Sequence, residues 1–89
     1  MYKIIYSDKS KRNIVDIINY IGNFNYIKVV DSIKNSISLL ELNPEMGVEI
    51  VKGEREVIET KYKYQIRYAI IGKEINILLI YKYNNIKGR

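Results

Sequence analysis

The spacing of hydrophobic residues changes along this chain, and each change marks an element. In Tyr2–Tyr6 the residues alternate, with Tyr2, Ile4 and Tyr6 on one side and Lys3 and Ile5 on the other, which predicts a short strand. Ser7 or Asp8 can cap a helix that begins here, because a side-chain oxygen there accepts from free backbone N–H groups. From Asp8 to Ile21 the period lengthens: Ile14, Ile18 and Ile21 recur at helical spacing, and Val15 and Ile17 widen the stripe. Gly22-Asn23 ends this helix, since glycine tolerates the backbone of a helix stop. A second helix is predicted over Asn25–Leu42, with Ile27, Val30, Ile33, Ile37 and Leu40 on its buried face, and Asn43-Pro44 stops it. With so short a link, the two helices form an antiparallel hairpin.

Residues 43–54 read as a loop, carrying Pro44, Gly47 and Gly53. Arg55–Thr60 reads as a strand. Alternation then returns over 61–83, in two strands joined by a turn at Gly72-Lys73. On the first, Tyr62, Tyr64, Ile66, Tyr68 and Ile70 share one face and Lys63, Gln65 and Arg67 the other. On the second, Ile75, Ile77, Leu79, Tyr81 and Tyr83 alternate with Asn76, Leu78, Ile80 and Lys82; apolar residues on both faces suggest a central strand. The order β-α-α-β-β-β predicts an α+β fold: a helical hairpin packed on one face of a mostly antiparallel four-stranded sheet, in a single domain over residues 1–89.

Charge is distributed unevenly over this framework. The net charge is +5, yet residues 61–89 hold seven Lys/Arg against Glu74, and residues 1–60 hold eight against nine acids. Five of the nine tyrosines also lie in 61–89. A basic, tyrosine-rich hairpin suits an acidic partner, whether nucleic acid, protein or anionic surface. Cysteine and histidine are absent, which excludes thiol nucleophiles, Ser-His-Asp triads and His-ligated zinc. The scattered acids Glu45, Glu49, Glu54, Glu56 and Glu59 match no metal-ligand spacing, so no metal and no cofactor are expected. The N-terminus turns polar too early for a signal peptide and no apolar run spans a bilayer, so the expected location is the cytoplasm.

The segments YKIIYSDKS, DIINYI, LELNPEMG, KGEREV, YKYQIRYAI and INILLIYKY, in that order and at this length, resemble the RelE/ParE superfamily of toxins from bacterial type II toxin–antitoxin pairs. The DIINYI helix and Gly53–Glu56 look more like the ParE branch. The resemblance implies a cognate antitoxin as partner. The target it implies is DNA gyrase for a ParE-like protein, or the ribosome and its mRNA for a RelE-type endoribonuclease.

Family nucleases carry an arginine after the first tyrosine of the YQIRY-like strand, where this chain has Gln65. They carry another just past the last strand, where this chain has Asn84-Asn85, and often a C-terminal tyrosine, which is absent after Tyr83. These departures favour a ParE-like protein that binds rather than cuts. A nuclease, or a degenerate non-toxic binding module, is the alternative. If the register brings Lys63, Arg67 and Lys82 to one sheet face, they form with Tyr81 and Tyr83 the candidate catalytic set of a nuclease. The same residues, with Lys87 and Arg89, are the candidate target or antitoxin contacts. Arg55 is read as structural, pairing with a carboxylate such as Glu56 or Glu59. Lys9, Lys11 and Arg12 oppose the helix macrodipole and read as a solvated face.

Overall fold

Ser7 makes the first junction of the chain. Its Oγ accepts from the Ser10 N–H at 3.0 Å and its N–H donates to Ile77 O at 3.1 Å, so one residue starts a helix and ends a strand pairing. The computed structural model describes residues 2–22 and 25–82. The elements are β1 (Lys3–Tyr6), α1 (Asp8–Ile21), α2 (Tyr26–Ser38), short 3-10 turns at Leu39–Glu41 and Pro44–Met46, β2 (Val48–Val51), β3 (Glu54–Glu59), β4 (Tyr64–Ile71) and β5 (Glu74–Lys82). Helix α1 stops at Gly22, whose φ of 88° lies in the left-handed region and whose N–H returns to Ile18 O. No helix among the described residues is long and apolar enough to cross a membrane.

The fold is α+β, but its sheet has five strands in the order β1-β5-β4-β3-β2. The additional strand is β2, inside the segment whose Pro and Gly content reads as loop. Its sequence, VEIV, is a strand by residue type. It is too short for periodicity to identify and is held by antiparallel pairing with β3. The sheet is mixed: β1 runs parallel to β5, with Ile4 opposite Ile75 and Tyr6 opposite Ile77, and the other pairs are antiparallel.

Helices α1 and α2 cover one face. The core joins Ile17, Val29, Ile33, Ile37 and Leu40 to Tyr64, Ile66, Tyr68, Ile75, Ile77 and Ile80. Each large side chain there contributes on the order of 1.5–3 kcal/mol by leaving water. The α2 stripe differs from the predicted one at two places: Val29 rather than Val30 is buried, and Ile27 is 56% exposed, because the packed stripe runs 29-33-37 and on to Leu40. In α1, Ile17 is the buried centre, and Val15 at 53% exposure lies outside it. Ser10 is fully buried, its small side chain turned back on Ser7 O at 2.9 Å.

One irregularity decides where the functional side chains point. Tyr68 opposes Ile77 and Arg67 opposes Leu79, so Leu78 is an extra residue in β5. The alternation shifts phase across it: Ile75 and Ile77 before the bulge, and Ile80 after it, all face the helices and are buried. Simple alternation, which sets Ile80 and Lys82 opposite to Ile77, is wrong beyond Leu78.

Candidate functional site

The bulge divides the predicted cluster. Arg67 lies on the open face of the sheet, opposite Leu79, and Tyr81 lies there opposite Gln65. Lys82 lies on the helix side, its Nζ 4.9 Å from the centre of the Tyr64 ring and donating to Tyr62 O at 2.7 Å. Lys63 is in neither set. It closes the turn that precedes β4, with φ of 67°. Lys63, Arg67 and Lys82 therefore do not share one face, and the four described candidates form no single cluster. Tyr83, Lys87 and Arg89 lie outside the described residues.

On the open face a carboxylate, not a cation, is central. Glu56 accepts from Gln65 Nε2 at 2.9 Å, from the Tyr81 hydroxyl, and from Arg67 at 3.5 Å. Arg67 also pairs with Glu54 at 3.7 Å. These groups come from three adjacent strands, because Glu56 opposes Arg67 and Gln65 opposes Tyr81. Burial, then the hydrogen bond and charge of Glu56, hold the Tyr81 phenol above its usual pKa, with Arg67 acting in the opposite sense. The arrangement sets positive charge against negative and, among the described residues, offers no free pair of cations. Among the described residues no group of acids is placed to hold a metal ion.

Arg55 faces the other way. Its guanidinium donates to Gly47 O at 2.6 Å and Glu45 O at 3.2 Å, so its partners are loop carbonyls rather than the carboxylates expected from sequence. Tyr68 ties down the same loop. Its fully buried side chain donates to Pro44 O at 2.6 Å and accepts from the Gly47 N–H at 2.9 Å. Gly47 is required there by space, since a Cβ would sit 2.6 Å from Glu56 O and 2.7 Å from the Tyr68 hydroxyl. Glu59, 2% exposed, anchors the next turn. It accepts from the Lys61 and Tyr62 N–H groups at 3.0 and 2.9 Å and from Ser32 of α2 at 2.6 Å. The neutralising role of Glu56 and the anchoring role of Glu59 are absent from the sequence reading. Their signal was the placing of Glu56 and Glu59 on either side of Val57-Ile58 in a strand, which fits buried or paired acids better than a solvated run.

A groove lies on the helix side, between α1 and the end of β5. Its outer part, about 350 Å³, is lined by Asn13, Asp16, Ile17, Tyr20, Tyr64 and Lys82 among others. An adjoining cavity of about 420 Å³ continues past Tyr20 and Lys82 to Lys28, Val29 and Tyr62. Tyr20 is 89% exposed although its neighbours Ile17 and Ile21 pack inward. It was not singled out from sequence, where it reads as one more polar-face residue of α1.

Comparison with known proteins agrees with this architecture. One chain of a solved structure, described as the chromosomal ParDE TA system from P. aeruginosa, superposes with a TM-score of 0.83 at 22% identity, over 94% of this chain and 98% of that one. That likeness shows the fold. A comparison with curated proteins returned no match. The profile of the ParE toxin of type II toxin–antitoxin system, parDE, matches residues 4–84, and the chain belongs to that family.

Proposed function

We propose that this protein arrests growth by binding a protein target such as DNA gyrase, and that a cognate antitoxin holds it inactive in the cytoplasm. The observation that carries this reading is the engagement of Arg67 by Glu54 and Glu56, with Lys82 on the opposite side of the sheet. Cutting RNA demands convergent donors that stabilise charge on a scissile phosphate. Here Arg67 already faces two carboxylates, whose charge opposes an approaching phosphate. Gln65, at a position where nuclease relatives carry arginine, donates to the same Glu56. A face of this kind suits contact with a protein, with Arg67 and Tyr81 on it and Lys63 in the turn before β4.

Gyrase supercoiling measured with increasing purified protein is the direct test. Inhibition is expected, and full supercoiling at saturating protein would reject gyrase as target. Primer extension on mRNA from expressing cells separates the nuclease alternative, for which new 5′ ends would accompany growth arrest. Normal growth on expression without the antitoxin would favour a non-toxic binding module. The net charge of +5 supports an acidic antitoxin segment and fast association with it.

A further inference from the structure

Three donors on the open face converge on one carboxylate. Gln65 Nε2 donates to Glu56 Oε1 at 2.9 Å, while the Tyr81 hydroxyl and Arg67 Nη2 donate to Oε2. The register fixes their grouping: Gln65 and Arg67 stand two apart on β4, and Tyr81 of β5 lies opposite Gln65. An amide, a phenol and a guanidinium aimed at two oxygens form a donor set that suits an oxyanion, a phosphate diester as well as a carboxylate. Arg67 is not saturated by its acids. Its contacts to Glu56 and Glu54 are 3.5 and 3.7 Å, longer than the about 2.7–2.9 Å of a charge-assisted bond. Its buried Nε has no hydrogen-bond partner among the described residues. The acids therefore hold this guanidinium more by charge than by directed bonds. Glu56 is the more enclosed of the two, its side chain 13% exposed against 37% for Glu54.

We propose that Glu56 is a specificity-determining residue: it fills a latent phosphate site made by Gln65, Arg67 and Tyr81, and so keeps single-stranded RNA off the open face. The proposal rests on the reading that this face meets a protein, and it names the residue that closes the face to the other class of partner. The carboxylate acts twice. It takes the donors that a phosphate oxygen would use, and it sets a negative charge where the phosphate would bring its own. Glu54 contributes only the second effect, because it faces Arg67 alone of the three donors. The molecule as a whole does not repel RNA, since its net charge of +5 attracts polyanions. The exclusion is local to this cluster.

Fluorescence anisotropy of a labelled oligo-U of about ten nucleotides, titrated with the full protein, tests this. Glu56→Gln keeps the side-chain size and removes the charge. It is expected to bind at least about tenfold more tightly than the unsubstituted protein. Glu54→Gln should gain less in the same direction; it is the more exposed position, and it carries the test if circular dichroism shows Glu56→Gln unfolded. Glu41→Gln makes the same charge change at an exposed residue after α2 and should gain less than about twofold, which measures net charge alone. In an Arg67→Ala background Glu56→Gln should gain nothing. The salt dependence of binding should steepen by about 0.7 in log–log slope for Glu56→Gln, as one added phosphate contact requires. The proposal is overturned if the folded glutamate variants bind no better than Glu41→Gln, or if their gain survives Arg67→Ala. Gyrase supercoiling with the same proteins separates the two layers. Inhibition by the unsubstituted protein with no RNA gain in Glu56→Gln sinks the role of Glu56 but not the protein target. An Arg67-dependent RNA gain without inhibition supports the role of Glu56 and sinks gyrase as target.

Discussion

Tyr68 and Tyr81 are the same residue type on neighbouring strands, and the sheet gives them opposite roles. Tyr68 lies under the helices, fully buried, with its hydroxyl bonded to two backbone groups of the loop at Pro44–Gly47. Tyr81 lies on the open face, partly exposed, with its hydroxyl on the Glu56 carboxylate. The first bonds to two backbone groups of the loop, so its loss leaves both of those bonds unmade. The second belongs to a side-chain network whose members can substitute for one another. Buried Tyr68 is therefore architecture here, and half-buried Tyr81 leaves part of its side chain at the surface.

Truncation should separate the two most sharply. Tyr68→Ala is expected to cost about 3–5 kcal/mol by urea unfolding, because it opens a cavity and orphans Gly47 N–H and Pro44 O. Tyr81→Ala should cost about 1 kcal/mol or less, since Gln65 and Arg67 still satisfy Glu56. Equal losses would dissolve the distinction. Gly47→Ala attacks the Tyr68 side from the loop: the new methyl meets Glu56 O and the phenol, and about 1–3 kcal/mol should be lost, with little change at Tyr81.

Alkaline pH tests the two environments together. Burial raises the pKa of Tyr6, Tyr64, Tyr68 and Tyr81 above the ordinary 10.0. The folded state thus holds these protons more tightly than the unfolded chain does. That stability is fully present below pH 10 and is lost as the pH rises above it. Thermal melts from pH 8 to 11.5 should show a Tm that begins to fall near pH 10; a Tm flat through 11.5 would contradict the assigned environments. The smallest effect lies outside both faces. Lys63 holds φ of 67°, so Lys63→Gly should relieve backbone strain and raise stability by roughly 1 kcal/mol. A loss in chemical denaturation would mean that the Lys63 side chain holds the turn.

Much of this fold was legible because its signals are local. The Ser7 cap, the Gly22 stop, the helical stripe at Ile33, Ile37 and Leu40, and the alternation of Tyr64, Ile66 and Tyr68 depend on residues within a few positions of one another. The candidate site was less legible because it depends on pairing. Whether Lys82 joins Arg67 or Tyr64 turns on one extra residue in β5, and a bulge carries no periodic signal. Likewise the charge on Arg67 is informative only once β3 is known to lie beside β4 and bring Glu56 opposite it.

The amino-acid sequence by itself determined the two helices, the principal strands and the helix-facing side of β4, which rest on short-range period, and the family likeness, which rests on an ordered set of segments. Tertiary structure alone decided the fifth strand, the parallel placement of β1 against β5, the phase change at Leu78, and the pairing of Arg67 with acids rather than with other cations. The physical reason is that strand register and sheet order are set by contacts between residues far apart in the chain, where a shift of one residue turns a side chain to the opposite face.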